Sequence, residues 1–460
     1  MKSALNEYLS SLKGKRTAVI GLGVSNMPLV ERLLDAGVPV LACDKRRREE
    51  FGGAIERLES RGLETALGPD YLDHLDGAQV IFRTPGLRPD VPQLAKAVAE
   101  GARLTSEMEA FLSLCPCRII AVTGSDGKTT TTTIIAGMLQ AAGYRTFVGG
   151  NIGHPLLCQV DEIRPDDMVV LELSSFQLLT MRQSASIAVV TNLAPNHLDV
   201  HRDMEEYVSA KRNIFAYQDA CDQLVLNGDN EITAGFAQQA RGKVTMFSRK
   251  RALERGVYLK DGMVMYCGRP IVHAEDIALP GEHNLENYMA AIAVVEDLVP
   301  DEVIRSFART FGGVPHRIEL VRELDGARWY NDSIASSPSR TIAGLRSFAQ
   351  KVILIAGGYD KHIPYDVLGP EIVEHVRALL LTGDTAEKIK AAVLAASGDR
   401  AGKLEIVDCA DLAQAVERAR ALARPGDVVI LSPASASFDR FKNFEERGNV
   451  FKELVNALQS

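Results

Sequence analysis

The segment from Arg118 to Ala142 constrains the fold of this chain more than any other part of the sequence. The run Arg118-Ile-Ile-Ala-Val122 predicts a buried strand, and residues from Thr129 to Ala142 predict a helix. Between them lies the glycine-containing turn Thr123-Gly-Ser-Asp-Gly-Lys-Thr-Thr130. This order is typical of a nucleotide-binding α/β domain with a mainly parallel sheet.

The turn has the chemistry of a phosphate site. Backbone N–H groups and a helix N-terminus can hold phosphate oxygens, Lys128 can reach the outer phosphates, and the Thr129 hydroxyl can bind Mg²⁺. Val122 stands where the general P-loop pattern has its first glycine, and the alternative is a simple glycine turn capped by Thr129. Because strand, GKT and helix occur together, we predict that a nucleotide is bound by Gly124, Ser125, Asp126, Gly127, Lys128, Thr129 and Thr130.

Length and composition predict a soluble protein of several domains. The chain has 460 residues, whereas one domain typically takes roughly 150. Its net charge of -8 argues against nucleic acid as a partner. The amino terminus is polar, and no apolar run approaches the roughly 20 residues of a membrane span. Seven scattered cysteines suit a reducing compartment, and we interpret Cys115-Pro-Cys117 as a turn. We therefore expect a cytoplasmic protein without membrane insertion.

The first part of the chain begins like a dinucleotide-binding unit. A strand-like run, Arg16 to Ile20, precedes the turn Gly21 to Asn26, and a second strand ends at Asp44. Asn26 replaces the third glycine of the dinucleotide fingerprint, so an NAD site does not follow from this unit alone. Val80 to Phe82 predicts another strand, which ends in the loop Thr84-Pro85-Gly86.

The remaining strand and helix patterns divide the chain further. We predict domains at residues 1–107, 108–313 and 314–460. The last contains the strand candidates Val352 to Ala356, Ala378 to Leu381 and Val428 to Leu431, which alternate with helical stretches such as Asp411 to Ala423.

A series of further motifs follows the glycine turn. In order, they are Gly149-Gly-Asn-Ile-Gly153, Leu171-Glu-Leu-Ser-Ser-Phe-Gln177, Asn192-Leu-Ala-Pro-Asn-His-Leu-Asp199, Ala210-Lys-Arg-Asn-Ile-Phe215, Gly281-Glu-His-Asn-Leu-Glu-Asn287, His316-Arg317, Asn331-Asp-Ser333 and Leu431-Ser-Pro-Ala-Ser-Ala-Ser-Phe-Asp-Arg-Phe-Lys-Asn-Phe444. The glycine turn resembles the ATP loop of Mur ligases and folylpolyglutamate synthases. The whole series resembles the D-glutamate-adding members of the Mur ligase family. This resemblance implies an α/β fold of three domains: an N-terminal Rossmann-like domain, a central P-loop-type ATPase domain and a C-terminal Rossmann-like domain.

The resemblance also implies an activity. Such a ligase uses ATP to turn the carboxylate of UDP-N-acetylmuramoyl-L-alanine into an acyl phosphate, which the amine of D-glutamate attacks to form an amide. The products are ADP, phosphate and a peptidoglycan precursor. The expected ligands are therefore ATP, two Mg²⁺ ions and these two substrates, and we expect a monomer.

The metal site implied by the resemblance consists of Thr129, Glu172, His197 and Lys211. Taken alone, Glu172 would be a strand-end residue and Lys211 a solvated helix lysine. Within the matching motifs, Lys211 is expected to carry a carbamate, which turns a cation into a carboxylate-like anion suited to Mg²⁺. Asn196 stands where relatives often have Asp and is excluded because it supplies no negative charge. The expected catalytic residues are Lys128, His197 and Lys211.

The other binding residues are also implied by the resemblance. Those expected near the nucleotide are Asn151, Asn284, Asn287, Arg317 and Asp332. Those expected near the UDP-sugar substrate are Gly21, Leu22, Gly23, Val24, Ser25, Asp44, Lys45, Arg46, Thr84, Pro85, Gly86 and Ser174. The amino-acid pocket is expected to contain Ser336, Lys361, Ser437 and Phe444. Ile334 departs from the family pattern, which has Lys there, so Lys361 is the expected cation for a substrate carboxylate.

Three alternatives remain open at this point. Another Mur or folylpolyglutamate ligase would keep the ATP site and recognise a different carboxylate or amine. A nicotinamide-dependent oxidoreductase would explain the first glycine turn and Asp44 but not the GKT loop. A nucleotide-regulated interaction protein would hydrolyse ATP without stimulation by an amino acid and a UDP substrate.

Overall fold

The computed structural model describes residues 3–197, 200–279, 281–360, 363–397 and 404–459. The chain forms two compact units, Met1–Phe311 and Gly312–Ser460. The first unit contains a five-stranded and a nine-stranded sheet, and the second contains a six-stranded sheet. These three sheets with their helices confirm the predicted fold class, whereas the predicted domain boundaries stay predictions.

The N-terminal sheet is entirely parallel. Its strands are β1 (Thr17–Ile20), β2 (Val40–Asp44), β3 (Glu64–Leu67), β4 (Val80–Phe82) and β5 (Arg103–Thr105), and its helices are α1 (Ala4–Ser11), α2 (Asn26–Asp35), α3 (Ala54–Glu59) and α4 (Pro92–Ala99), with a 3₁₀ turn at Arg48–Phe51. The strand order is β3-β2-β1-β4-β5. Because the connections run in opposite directions from β1, the carboxyl ends of β1 and β4 form a switch point, where such sheets bind ligands.

The turn after β1 explains why Asn26 can replace a glycine. The buried Asn26 amide donates hydrogen bonds to the carbonyl oxygens of Ile20, at 3.0 Å, and Gly21, at 2.9 Å. The side chain thereby satisfies backbone acceptors that the turn leaves open. The replacement preserves a tight turn without the close helix approach that a third glycine allows.

The central sheet surrounds β6. The elements are α5 (Glu107–Leu114), β6 (Arg118–Thr123), α6 (Lys128–Ala141), β7 (Thr146–Gly150), β8 (Met168–Glu172), α7 (Ser175–Leu178), β9 (Ile187–Val190), α8 (Met204–Arg212), β10 (Gln223–Asn227), α9 (Glu231–Gly235), β11 (Lys243–Ser248), β12 (Val257–Lys260), β13 (Met263–Tyr266), β14 (Arg269–His273), α10 (Glu282–Val295) and α11 (Asp301–Thr310), with 3₁₀ turns at Leu157–Glu162, Phe236–Gln239 and Ala274–Asp276. The strand order is β14-β13-β12-β11-β10-β9-β6-β8-β7. Strands from β7 to β12 are parallel, and β13 and β14 are antiparallel additions. The carboxyl ends of β6, β8 and β9 therefore meet at one edge.

The second unit has a mixed sheet in the order β15-β16-β20-β17-β18-β19. Its elements are β15 (Glu319–Leu324), β16 (Ala327–Asn331), α12 (Pro338–Leu345), β17 (Val352–Ala356), α13 (Leu368–His375), β18 (Val376–Leu381), α14 (Ala386–Ser397), β19 (Glu405–Asp408), α15 (Leu412–Leu422), β20 (Val428–Leu431) and α16 (Phe444–Ala457). Only β15 is antiparallel to its neighbour. The buried strands β17 and β20 match the apolar runs that the sequence analysis identified.

Across the described residues, no helix combines the length and the apolar character needed to cross a membrane. The seven cysteines are all free thiols.

Candidate active site

The predicted phosphate loop connects β6 to α6 and is closed by neighbouring strand ends. Gly127 has a left-handed φ of 76°, and a Cβ atom built there would collide with the side-chain oxygen of Asn287. Glycine is therefore required both by the backbone conformation and by the close approach of α10. The Asn287 oxygen also accepts a hydrogen bond from Thr131 Oγ1 at 3.2 Å, and its amide donates to Asn284 Oδ1 at 3.2 Å. The structure thus brings both predicted asparagines to the loop.

Three further contacts hold the loop. The backbone N–H of Asp126 donates to Asn192 Oδ1 at 2.9 Å. The Ser125 hydroxyl lies 2.9 Å from both the Ala194 carbonyl oxygen and the Tyr207 hydroxyl. The sequence analysis did not identify Tyr207, because one tyrosine in a helix is indistinguishable from a core residue.

Lys128 lies over the loop. Its Nζ donates to the carbonyl oxygens of Gly124, at 3.0 Å, and Ser125, at 2.8 Å. An ammonium group held in this position can change its hydrogen-bond partners from these carbonyls to phosphate oxygens that are bound by the same loop.

Glu172 is the buried carboxylate at the end of β8. It accepts hydrogen bonds from Thr129 Oγ1 at 2.6 Å and from Asn151 Nδ2 at 2.8 Å. Three predicted residues therefore meet where the carboxyl ends of β7 and β8 adjoin the start of α6. The hydroxyl and carboxylate oxygens are ligands that Mg²⁺ prefers, so these residues fit a magnesium site.

Lys211 lies on α8 with only 2% of its surface exposed. Its Nζ donates to Thr123 Oγ1 at 3.0 Å and to the Gly124 carbonyl oxygen at 2.8 Å. Among the described residues, no carboxylate lies within 4.0 Å of it. Burial, and then the nearby charge of Lys128, lower the pKa of Lys211 well below its ordinary value, although Glu172 acts in the opposite direction. Lys211 consequently loses its proton, and becomes a neutral amine, more readily than an ordinary lysine.

His197 has a left-handed φ of 55°, and its ring packs edge-on against Phe176 at a centroid distance of 5.2 Å. His201, which the sequence analysis missed, stacks on the same phenylalanine at 5.3 Å. His201 is buried, and its Nε2 lies 2.9 Å from Ser175 Oγ. The spacing of four residues between His197 and His201 was the sequence feature that could have identified His201.

Within the described ranges, no three His, Cys, Asp or Glu side chains gather closely enough to hold a metal ion. A metal site here would therefore also need oxygen ligands from Thr129 or from a modified Lys211.

A cavity of about 210 Å³ lies at the switch point of the N-terminal sheet. It includes Gly21, Gly23, Val24, Ser25, Thr84 and Pro85 from the predicted substrate residues. Arg83, Glu107 and Gln177, which the sequence analysis did not select, line it as well. Burial raises the pKa of Glu107 to about 7. Gly86 is exposed and is not among the lining residues, and Ser174 caps α7 through its hydroxyl.

Asp44 stabilises the first glycine turn. Its carboxylate accepts the Leu22 N–H at 2.7 Å and pairs with the Arg46 guanidinium at 3.0 Å. Burial by itself raises the pKa of Asp44, but the hydrogen bonds from Arg46 and Leu22 bring it below its ordinary value. The carboxylate is thus ionised and engaged within the protein, while the neighbouring Lys45 is exposed.

In the second unit, Asp332 is buried beneath the loops that follow β16 and β20. It accepts the Ser432 hydroxyl at 2.7 Å and the Ile318 N–H at 3.3 Å. Burial raises its pKa to about 7, while the charge of Arg317 lowers it less strongly. Arg317 and Asp332, both predicted to lie near the nucleotide, are therefore close enough for the charge of one to affect the pKa of the other.

The loops around the predicted amino-acid pocket are joined by Arg447, which is buried at 3% exposure. Its guanidinium donates to the hydroxyl and carbonyl oxygens of Ser333, at 3.0 and 2.9 Å, and to the carbonyls of Ala436, at 2.9 Å, and Ser435, at 3.1 Å. Arg447 is not recognisable as a site residue from the sequence, because an arginine in a charged helical segment is normally solvated.

The predicted pocket residues lie on these loops. Ser336 is half-buried after β16, and Ser437 is buried after β20. Phe444 begins α16, where its carbonyl accepts the Ser333 hydroxyl at 2.8 Å and its ring lies 6.0 Å from that of His316. Lys361 lies outside the described residues.

Comparisons with known proteins place this geometry in context. Residues 15–106 match the family description "Mur ligase MurD-like, N-terminal domain", residues 122–295 match "Mur ligase middle domain", and residues 316–435 match "Mur ligase, glutamate ligase domain". Relatives named UDP-N-acetylmuramoylalanine--D-glutamate ligase are 55% identical in Acetivibrio thermocellus, 52% in Ruminiclostridium cellulolyticum and 50% in Clostridium novyi, with 100% of each chain covered.

A solved structure of similar fold is the UDP-N-acetylmuramate-alanine ligase of Thermotoga maritima, with a TM-score of 0.56 and 18% identity over 96% of this chain and 99% of that one. A pseudomurein peptide ligase type C from Methanothermus fervidus has a TM-score of 0.50 and 16% identity, covering 97% of this chain and all of that one. At this identity, the likeness extends to the fold alone.

Proposed function

This chain belongs to the Mur ligase family, and we propose that it uses ATP to join D-glutamate to UDP-N-acetylmuramoyl-L-alanine in peptidoglycan precursor synthesis. The observation that carries the proposal is the buried group at the ends of β6 and β8. There, Glu172 accepts a hydrogen bond from the Thr129 hydroxyl, and Lys211 donates one to the carbonyl oxygen of Gly124 in the phosphate loop. Full-length relatives of that name support the choice of substrates.

The reaction requires a better leaving group on a carboxylate. A carboxylate oxygen of the UDP substrate attacks the γ-phosphorus of ATP, and ADP leaves. The neutral amine of D-glutamate then attacks the acyl carbon, phosphate departs with the bonding electrons, and the nitrogen loses a proton. Both steps bring anionic groups together, so the protein has to supply compensating positive charge.

Lys128 is assigned to that role. On ATP binding, its ammonium group would exchange the carbonyls of Gly124 and Ser125 for phosphate oxygens, while backbone N–H groups at the start of α6 would hold the same oxygens. Asn151, Asn284 and Asn287 are proposed to complete the nucleotide site within the first unit, and the nucleotide-binding roles of Arg317 and Asp332 stay predictions.

Thr129, Glu172, His197 and Lys211 would hold two Mg²⁺ ions, which supply positive charge between the reacting anions when bound. We assign a carbamate to Lys211. The neutral lysine nitrogen attacks carbon dioxide, a N–C bond forms, and one proton is released. Burial of Lys211 supports this step, because burial favours the neutral amine.

The substrate sites are proposals of the same kind. The switch-point cavity would take the UDP-sugar, against Gly21 to Ser25, Asp44 to Arg46, Thr84 to Gly86 and Ser174. The loops held by Arg447 would take D-glutamate, with Ser336, Ser437 and Phe444 near it. Lys361 as the anchor for a glutamate carboxylate stays a prediction, as do a monomeric state and a cytoplasmic location.

A substrate matrix tests the proposal. ADP release and product mass are measured with D- and L-glutamate, D- and L-alanine and meso-diaminopimelate, each with the UDP-muramoyl acceptor with and without its L-alanine. We expect a product only from D-glutamate and the L-alanyl acceptor, because a pocket that fixes two carboxylates and aims one amine selects one enantiomer. Comparable turnover with L-glutamate, or with another amino acid, would contradict the proposed specificity. ADP release that neither substrate stimulates would favour a nucleotide-regulated interaction protein.

A further inference from the structure

Arg83 is a buried arginine that follows β4 and has no acidic partner in the described contacts. Only 2% of its surface is exposed, and no carboxylate of the described residues lies within 4.0 Å of its guanidinium. Burying a cation costs free energy unless hydrogen bonds compensate for lost water. Arg83 is therefore compensated mainly by neutral hydrogen-bond acceptors around it, and the charge of Glu109 acts on it from a longer distance.

Those groups come from two domains of the first unit. On the N-terminal side, Nη1 donates to the carbonyl oxygens of Thr84, at 3.2 Å, Pro85, at 3.1 Å, and Leu87. On the central side, Nη2 donates to the carbonyl oxygen of Phe176 and to Thr180 Oγ1, each at 3.0 Å. One planar group thus fixes the loop 84–87 to α7 and the turn after it.

Both attachment points adjoin proposed substrate or metal residues. Thr84 and Pro85 line the switch-point cavity together with Gln177 of α7. The ring of Phe176 packs against the ring of His197, at a centroid distance of 5.2 Å. The guanidinium therefore connects the wall of the sugar-nucleotide cavity to the helix against which a proposed metal ligand packs.

We propose that Arg83 is a positioning residue for the UDP-muramoyl substrate, holding the loop 84–87 against α7 so that the substrate carboxylate reaches the phosphate loop. The proposal rests on the function assigned above, because it needs a substrate bound between these two elements. Only a planar fork of donors spans both sets of acceptors. An ammonium group at the same place would reach one set and release the other.

The test compares Arg83→Lys and Arg83→Gln with Arg88→Gln. Arg88 also connects the two domains, through Glu206 at 2.8 Å and the Val200 carbonyl at 2.7 Å, but it does not contact the loop 84–87 in the described contacts. In Arg88→Gln, Glu206 and Asp90 both retain Arg202 as an ionic partner. Arg88→Gln therefore weakens the contact between the two domains but keeps the hydrogen bonds that hold the loop 84–87 at the cavity.

For each protein, KM and kcat are measured for the UDP substrate, ATP and D-glutamate, and binding of UDP-N-acetylmuramoyl-L-alanine is measured by calorimetry without ATP. Both Arg83 variants should raise KM and the dissociation constant for the UDP substrate at least about tenfold, a loss of roughly 1.4 kcal/mol. KM for ATP should stay within about twofold, since the phosphate loop is untouched. Arg88→Gln should change all three KM values by less than about twofold.

Two results would overturn the inference. One is an unchanged affinity for the UDP substrate in a folded Arg83→Lys protein, which would make Arg83 a structural residue only. The other is the same KM pattern in Arg88→Gln, which would assign the effect to the domain junction in general. Failure of the proposed function is distinguishable, because the wild-type enzyme would then show no D-glutamate-dependent ADP release. If Arg83→Gln does not fold, the comparison of Arg83→Lys with Arg88→Gln decides.

Discussion

The phosphate site of the central sheet and the loops around Arg447 in the second unit are organised in different ways. In the central sheet, several functional side chains bond one another directly, as in the hydrogen bonds from Thr129, at 2.6 Å, and Asn151, at 2.8 Å, to Glu172. In the second unit, one buried guanidinium holds mainly backbone carbonyls, and the proposed pocket residues Ser336 and Ser437 lie on the loops so fixed.

This difference separates chemistry from specificity. A site whose side chains carry reacting charge depends on each of those side chains, because none can be replaced by backbone groups. A pocket built on loops depends first on loop geometry, and its recognition residues can differ within one fold. Substitutions in the two regions should therefore have different kinetic effects.

The largest effect is expected in the central site, at Lys211. Lys211→Ala should reduce turnover by about 10²-fold or more, the usual cost of one preorganised charged group. Formate or acetate should partly restore activity by supplying a carboxylate in the vacated space. Lys211→Arg should remain inactive, because a guanidinium cannot form the carbamate.

The control is Lys260→Ala, at an exposed lysine of β12, which should retain full activity. Carbon-13 NMR of the wild-type enzyme under labelled carbon dioxide should show one carbamate signal, which Lys211→Ala lacks. Full activity of an enzyme depleted of carbon dioxide and without that signal would exclude the carbamate.

A smaller and more selective effect is expected at Arg447. Arg447→Lys cannot donate to Ser333, Ser435 and Ala436 together, so the loops should lose their fixed arrangement. KM for D-glutamate should rise about tenfold, equivalent to roughly 1.4 kcal/mol of binding free energy, while KM for ATP stays within about twofold. Steady-state kinetics give both KM values for Arg447→Lys. The control is Arg418→Lys, which changes an exposed arginine of α15. Equal increases in both KM values would show that the loops and the phosphate site are not separable in this way.

The last expected effect is on stability rather than on kinetics, and it is a pH dependence at Asp332. Its pKa is about 7 in the folded state and near 3.8 ordinarily. Between these values, the folded state binds more protons than the unfolded state, so the free energy of unfolding should fall as pH rises from about 4 to 7 and level off above it. The slope is at most about 1.4 kcal/mol per pH unit. Asp332→Asn keeps the hydrogen-bonding shape and should make this part of the profile flatter.

Trp329 is the single tryptophan of the chain and is buried in the second unit, so its fluorescence reports the unfolding of that unit. Denaturant titrations at pH 5, 6, 7 and 8 compare wild type with Asp332→Asn. Parallel profiles for the two proteins would show that Asp332 is not the responsible group.

The sequence determined the elements in which neighbouring residues cooperate. The turn from Thr123 to Thr130, the strands around it and the family motifs follow from spacing and from residue chemistry, since a glycine turn between a strand and a helix has few possible conformations. The resemblance of the ordered motifs to the Mur ligase family implied three α/β domains and one metal site shared by Thr129, Glu172 and Lys211.

Only the tertiary structure decided how distant residues are paired. Arg83 donates to Phe176, 93 positions along the chain, and Arg447 donates to Ser333, 114 positions away. Taken alone, either arginine has the pattern of a solvated side chain, because arginines are rarely buried without a carboxylate. Their roles arise from burial and from carbonyl groups that only folding brings together, and neither burial nor the direction of a carbonyl is encoded by the residues next to them.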